Sequence, residues 1–177
     1  MIRKIIAGAA LASAAAALLP AAAARAVDGV ALEIGHGDES TDLVRGSLQW
    51  KWQRSWFADT GWEVGGYWEA SLGVWNTDKT LYDIGFTPVF RLQRRDWVGP
   101  YLEAAIGFHF LSDLSVTRTR LFGSRFQFGD HLGFGWRFGT RGRYDLGLRV
   151  QHLSNGGIKE PNPGINFVVL RLAYQLD

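Results

Sequence analysis

From Trp62 the even-numbered positions read Trp62, Val64, Gly66, Trp68, Ala70, Leu72 and Val74, while the odd ones read Glu63, Gly65, Tyr67, Glu69, Ser71 and Gly73. The rhythm returns from Tyr82, where Ile84, Phe86, Phe90 and Leu92 alternate with Asp83, Gly85, Thr87 and Arg91. It returns again from Leu102 (Ala104, Ile106, Phe108 and Phe110 against Glu103, Gly107 and His109) and from Phe126 (Phe128, Leu132, Phe134, Trp136 and Phe138 against Gln127, His131 and Arg137). A period of two sends successive side chains to opposite faces of an extended chain, so each stretch is predicted as a β-strand with one apolar and one polar face. Eight such segments are predicted, at 29–37, 43–56, 61–75, 80–93, 97–111, 124–138, 142–154 and 165–176. Turn-forming stretches separate them, including Gly37-Asp38-Glu39-Ser40, Asn76-Thr77-Asp78-Lys79 and Gly139-Thr140-Arg141-Gly142. No shift in composition marks a linker, so residues 27–177 are read as one domain.

The first residues do not follow this rhythm. Arg3 and Lys4 precede an apolar, alanine-rich run from Ile5 to Leu19, and Ala24-Arg25-Ala26 offers small residues for cleavage. Residues 1–26 are therefore expected to be a secretory signal peptide, and their removal leaves 177 − 26 = 151 residues. The chain has no cysteine, which excludes a disulfide framework and thiolate metal sites. A net charge of +2, with both signs interspersed, argues against a nucleic-acid partner. Eight Trp, eleven Phe, five Tyr and 22 Gly suit twisted β-structure better than helices.

Two architectures accommodate eight alternating strands. A soluble, lipocalin-like barrel would turn its apolar face inward around a ligand, whereas an outer-membrane barrel turns it outward to lipid. The apolar face carries Trp50, Trp52, Trp56, Trp62, Trp68 and Trp136, too much bulk for the narrow interior of eight strands. The polar face carries Arg45, Glu63, Glu69, Asp83, Arg91, Glu103, Arg137, Arg149 and Arg171, whose opposite charges can pair inside a lumen. The expected fold is thus an all-β, eight-stranded antiparallel up-and-down transmembrane barrel in the bacterial outer membrane. With the N-terminus in the periplasm, the seventh strand ends at the outer rim, and 155–164 is an extracellular loop.

Three residues break the apolar face near that rim. On the seventh strand Leu146, Leu148 and Val150 continue into His152 and Ser154, and on the sixth Asp130 stands between Phe128 and Leu132. Polar groups facing hydrocarbon are expensive unless they are paired or functional. Residues two apart share a face about 7 Å apart, so a histidine can serve there as base to a serine nucleophile. The backbone N–H groups of Asn155, Gly156 and Gly157, next in the chain, are candidates for an oxyanion hole. The hairpin near Thr140 and Arg141 sets Asp130 across from His152. On the residues alone, a polar turn without chemistry remains open.

The segment His152-Leu153-Ser154-Asn155-Gly156-Gly157, with Pro161-Asn162-x-Gly164-Ile165 behind it, resembles the lipid A 3-O-deacylases, the PagL-like outer-membrane enzymes. The resemblance includes Phe128-x-Asp130, Gly66-Tyr67-Trp68-Glu69 and Pro88-Val89-Phe90, and it runs over the whole of 27–177. It implies an eight-stranded barrel with its catalytic residues facing lipid in the outer leaflet. The implied reaction is hydrolysis of the ester holding the 3-hydroxyacyl chain at position 3 of lipid A. His152 would be the base, Ser154 the nucleophile, and Asn155 with Gly156 the oxyanion donors. The family's acidic third member aligns with Asn166, an amide here. Pairing across the 155–165 loop is expected to set Ser154 near Asn166 and His152 near Val168. Asn166 is then the expected orienter of the imidazole, with Asp130 or Glu160 as electrostatic partners.

Lipopolysaccharide is the implied partner, and Arg118 and Arg120, in the basic loop before the sixth strand, are candidates for its phosphates. No cofactor is expected, and His36, His109 and His131 lack ligand spacing for a metal. Assembly into a homodimer is left open. The competing reading of the same pattern is a non-catalytic structural or adhesive barrel of the OmpA/OmpX type.

Overall fold

The computed structural model describes residues 26–57, 59 and 61–176. The predicted signal segment falls, but for Ala26, outside the described residues. Eight strands form among them: β1 (Gly29–Gly37), β2 (Thr41–Lys51), β3 (Trp62–Asn76), β4 (Thr80–Arg94), β5 (Gly99–Leu111), β6 (Phe126–Phe138), β7 (Tyr144–Ser154) and β8 (Ile165–Gln175). Each pairs antiparallel with its neighbours in chain order, and β8 closes on β1 to complete the barrel. Closure removes the unpaired strand edges that lipid could not satisfy.

The faces follow the alternation. Leu132 is 70% exposed and Val150 58%, whereas Arg149 is 2% and Gln151 3% exposed on the inner face. This excludes the soluble, lipocalin-like alternative, because the interior that a ligand would need is filled with polar side chains. The guanidinium of Arg149 donates to Glu103 (2.6 Å), Glu33 (2.5 Å), Glu69 (3.0 Å) and the Tyr67 hydroxyl (2.8 Å). Arg91 bridges Glu103 (2.7 Å) and Asp145 (2.6 Å), and Arg45 bridges Glu33 (3.2 Å) and Asp83 (3.1 Å). Buried charges persist when opposite charges stand beside them in this way.

The lumen changes character at the end away from the Gly29–Gln175 pair of the β1–β8 ladder. There Leu43, Trp75, Leu81, Leu111, Leu153, Ile165, Phe167 and Val169 point inward and pack with Val116 and Phe122 of the β5–β6 loop. A polar inner face was expected throughout. The odd positions nearest this mouth are apolar instead, so the loop folds in and seals it. At the opposite end an aromatic cluster lies on the outer wall, with Trp52 at 4.7 Å from Phe90 and 5.9 Å from Trp68 between ring centroids. The Trp52 ring occupies the space above Gly66, and β2 ends at Lys51 rather than continuing to Trp56. Trp56 returns only as an isolated bridge to Val64.

Candidate functional site

The sealed mouth lies directly behind the three residues that break the apolar face. In the β6–β7 ladder Asp130 stands opposite His152 and Phe128 opposite Ser154, as the hairpin arithmetic predicts. In the β7–β8 ladder His152 pairs with Asn166, and the last pair is Leu153 with Ile165. The expectation that Ser154 meets Asn166 and His152 meets Val168 is corrected by two residues. The reason lies at Asn155, where the chain leaves the sheet. Its N–H donates to Asn162 Oδ1 (2.9 Å) and its side-chain amide to the Lys159 carbonyl (2.6 Å), so β-pairing stops before Ser154. A slip of two preserves the face of every side chain, so the residues stay together although their pairing changes.

The corrected register makes a direct contact. His152 Nδ1 lies 2.8 Å from Asn166 Oδ1. A carbonyl oxygen only accepts, so Nδ1 carries the proton and donates it, leaving Nε2 with a free lone pair. Gly164 packs against the imidazole: a Cβ there would sit 2.5 Å from His152 Cε1 and 3.1 Å from Nε2. Glycine is thus required for the loop to close over the ring, and its φ of 63° is also left-handed. No sequence rule for catalysis marked Gly164; its place after Pro161 and Asn162 in the matched motif was the one available signal.

Ser154 Oγ makes no hydrogen bond among the described residues and is half-buried beside Phe128. The rings of Phe126 and Phe128 meet edge-on at 5.0 Å, with Phe108 6.1 Å from each, so the nucleophile candidate borders an aromatic strip of the outer wall.

The three oxyanion candidates separate. The Asn155 N–H is taken by Asn162, and the Gly157 N–H donates to Asn155 Oδ1 (3.0 Å). Of the three, the Gly156 N–H alone has no acceptor among the described residues. Glu160 accepts from the Asn162 N–H at 2.9 Å and shapes the loop, and no bond joins it to His152. Asp130 is exposed on the outer wall and likewise makes no hydrogen bond to the ring among the described residues. Arg118 is exposed and its N–H donates to Asp78 (3.2 Å). Arg120 is drawn inward instead: Nε donates to Glu39 (3.0 Å), and one terminal nitrogen donates to the Gly164 carbonyl and approaches Asp38 (3.4 Å).

Asp38 went unnoticed in the sequence except as part of a turn. Its Oδ2 accepts from both the Asn166 backbone N–H (3.0 Å) and the Asn166 side-chain amide (3.0 Å).

The chain is similar to proteins of known name and structure. A sequence model of the family described as Lipid A 3-O-deacylase (PagL) matches residues 42–175. The chain is 33% identical over 148 residues to lipid A deacylase PagL of Pseudomonas aeruginosa, covering 81% of this chain and 83% of that protein. It is 40% identical over 122 residues to lipid A deacylase PagL of Bordetella bronchiseptica, covering 68% of this chain but 57% of that protein. Among solved structures, the outer membrane enzyme PagL superposes with a TM-score of 0.76 at 30% identity, over 84% of this chain and 99% of that one. A designed transmembrane β-barrel superposes at a TM-score of 0.55 with 13% identity over 85% of this chain and 95% of that one, a likeness of fold alone.

Proposed function

Because the chain belongs to the lipid A 3-O-deacylase (PagL) family, we propose that this outer-membrane barrel hydrolyses the ester-linked 3-hydroxyacyl chain at position 3 of lipid A. The observation that carries the proposal is the His152–Asn166 bond of 2.8 Å on the lipid-facing wall, two residues from Ser154. It selects the tautomer in which Nε2 is a base, and a serine on the same face of the strand is within reach of side-chain rotation.

In this reading Nε2 removes the Ser154 Oγ proton as Oγ attacks the ester carbonyl. The Gly156 N–H is the free donor for the resulting oxyanion. The imidazolium then returns its proton to the sugar 3-oxygen as the C–O bond breaks, which leaves an acyl-serine. Water, deprotonated by His152, attacks the acyl-serine carbonyl; the bond from that carbon to Oγ breaks, the imidazolium returns the proton to Ser154 Oγ, and the 3-hydroxy fatty acid leaves. The aromatic strip of Phe108, Phe126 and Phe128 offers the acyl chain an apolar track beside Ser154. The site faces the outer leaflet when the barrel end carrying Gly29 and Gln175 faces the periplasm, and lipid A then needs no extraction from its bilayer. Asp130, across the β6–β7 ladder, adds negative charge near the imidazolium.

The test is mass spectrometry of lipid A from cells with and without the protein, alongside Ser154→Ala. Loss of one 3-hydroxyacyl chain only with the intact serine is expected. Unchanged deacylation by Ser154→Ala ends the nucleophile assignment, and unchanged lipid A in the presence of the folded protein favours a non-catalytic barrel.

A further inference from the structure

Barrel closure pairs β1 with β8 and sets Gly37 opposite Phe167. A Cβ on Gly37 would lie 2.5 Å from the Asn166 carbonyl oxygen and 2.5 Å from Phe167 Cδ1, so only glycine lets the following turn lie over the start of β8. That turn, Asp38–Ser40, holds Glu39 and Ser40 at left-handed φ values of 55° and 57°. Non-glycine residues stay in this region when their surroundings over-determine it. Here the Glu39 carboxylate accepts from Thr117, from Thr119 (3.2 Å) and from Arg120 Nε (3.0 Å). The turn is pinned to the β5–β6 loop, and its pinned geometry delivers Asp38 to Asn166.

We propose that Asp38 is a positioning residue for the hydrolysis argued above, on whose serine–histidine reading this inference rests. A carboxylate only accepts and an amide nitrogen only donates. Asp38 therefore holds the Asn166 side chain with Nδ2 toward itself and Oδ1 toward His152. Without the carboxylate the amide is free to turn over and present Nδ2–H to the ring. Nδ1 must then become the acceptor, the ring proton moves to Nε2, and the base is lost. The pair Asp38–Asn166 thus does through two residues what one acidic side chain does where the family carries it at this place. Arg120, 3.4 Å from Asp38, offsets part of its charge, so Asp38 acts mainly on orientation and tautomer.

The experiment uses the full barrel in lipopolysaccharide-containing vesicles, with Asp38→Ala, Asn166→Glu and the double variant. Alanine is chosen because asparagine at 38 would keep an acceptor oxygen for the Asn166 amide. Asp38→Ala should lower kcat by at least about tenfold with KM nearly unchanged, a wrong tautomer being worth up to ~10⁴-fold. Asn166→Glu should be active, because a carboxylate presents an acceptor to the ring however it turns, and Asp38→Ala should cost little in that background. Equal losses in both backgrounds would mean that Asp38 merely fastens the turn, and the proposal fails. Nitrogen NMR of the His152 ring supplies a readout apart from activity and needs no variant to fold. Nδ1–H in the unaltered protein, shifting toward Nε2–H in Asp38→Ala, supports the proposal, and Nε2–H in the unaltered protein overturns it. Inactivity of the unaltered protein toward lipid A would instead sink the proposed reaction while the tautomer measurement still decides the role of Asp38.

Discussion

Arg149 and Ser154 stand five residues apart on β7, yet one donates to three carboxylates and a tyrosine inside the barrel while the other has no partner for its hydroxyl among the described residues. The lumen and the lipid-facing site are both polar regions, and they treat polarity in opposite ways. In the lumen, removed from water, charges are cross-linked by several partners each, because an unpaired one would cost several kcal/mol. On the outer wall Asp130, His152, Ser154 and Asn166 break an apolar surface, and only the His152–Asn166 contact within that set is made. Dense pairing of opposite charges holds a structure together, whereas the sparse contacts of the outer wall leave a lone pair and a hydroxyl available for chemistry.

The sharpest way to break this contrast is to alter one member of each region. Ser154→Ala should lower lipid A deacylation by several orders of magnitude, about 10⁴-fold or more, with an unchanged unfolding midpoint in urea. Arg149→Met should do the reverse in kind, destabilising the barrel by about 3–5 kcal/mol because Glu33, Glu69 and Glu103 lose a shared cation. A stability loss as large in Ser154→Ala would erase the distinction. The wall itself is tested by Val150→Lys, expected to cost about 2–4 kcal/mol if the position lies near the bilayer midplane.

Smaller changes probe the site's own geometry. Gly164→Ala pushes a methyl into the imidazole and should lower kcat by about 100-fold, the scale of a 1 Å misplacement. Asp130→Asn should lower it by less than about tenfold, since a partly screened charge without a hydrogen bond contributes ~1 kcal/mol or less. Glu160→Gln should be nearly silent in the same lipid A assay, and a dead Glu160→Gln with an active Asn166→Ala would reassign the third residue to the loop.

The rim between the two regions carries a pH test. The Thr117 hydroxyl and then Arg120 hold the Glu39 carboxyl below its ordinary value of 4.5. A carboxyl depressed in the folded state contributes its stability above the unfolded value and loses it as pH falls through the folded value. The clasp between the 38–40 turn and the β5–β6 loop should therefore persist at pH 4.5 and open only below it. Limited proteolysis of residues 112–125 with an acid-tolerant protease would show this, and cleavage already at pH 6 would contradict it.

Strand positions and faces were legible in the chain because alternation is local: each residue reports its own side of the sheet through its solvent preference. Val150 outside and Gln151 inside follow from neighbours two residues away, and so does the anomaly of His152, Ser154 and Asp130 on the apolar face. The Asp130–His152 pairing was legible too, because a short hairpin ties β6 to β7 and leaves little freedom of register. The ten-residue loop before β8 leaves much more, and there the pairing could be set only by how Asn155 engages Asn162 and Lys159. Asp38 lies 128 residues from Asn166, and nothing in either neighbourhood links them. They meet because the sheet closes, and closure depends on the twist and register of all eight strands together. By itself the sequence determined which residues face lipid and which of them could do chemistry. The tertiary structure alone decided which acid stands behind the histidine, because that contact is a property of the closed ring and of no single strand.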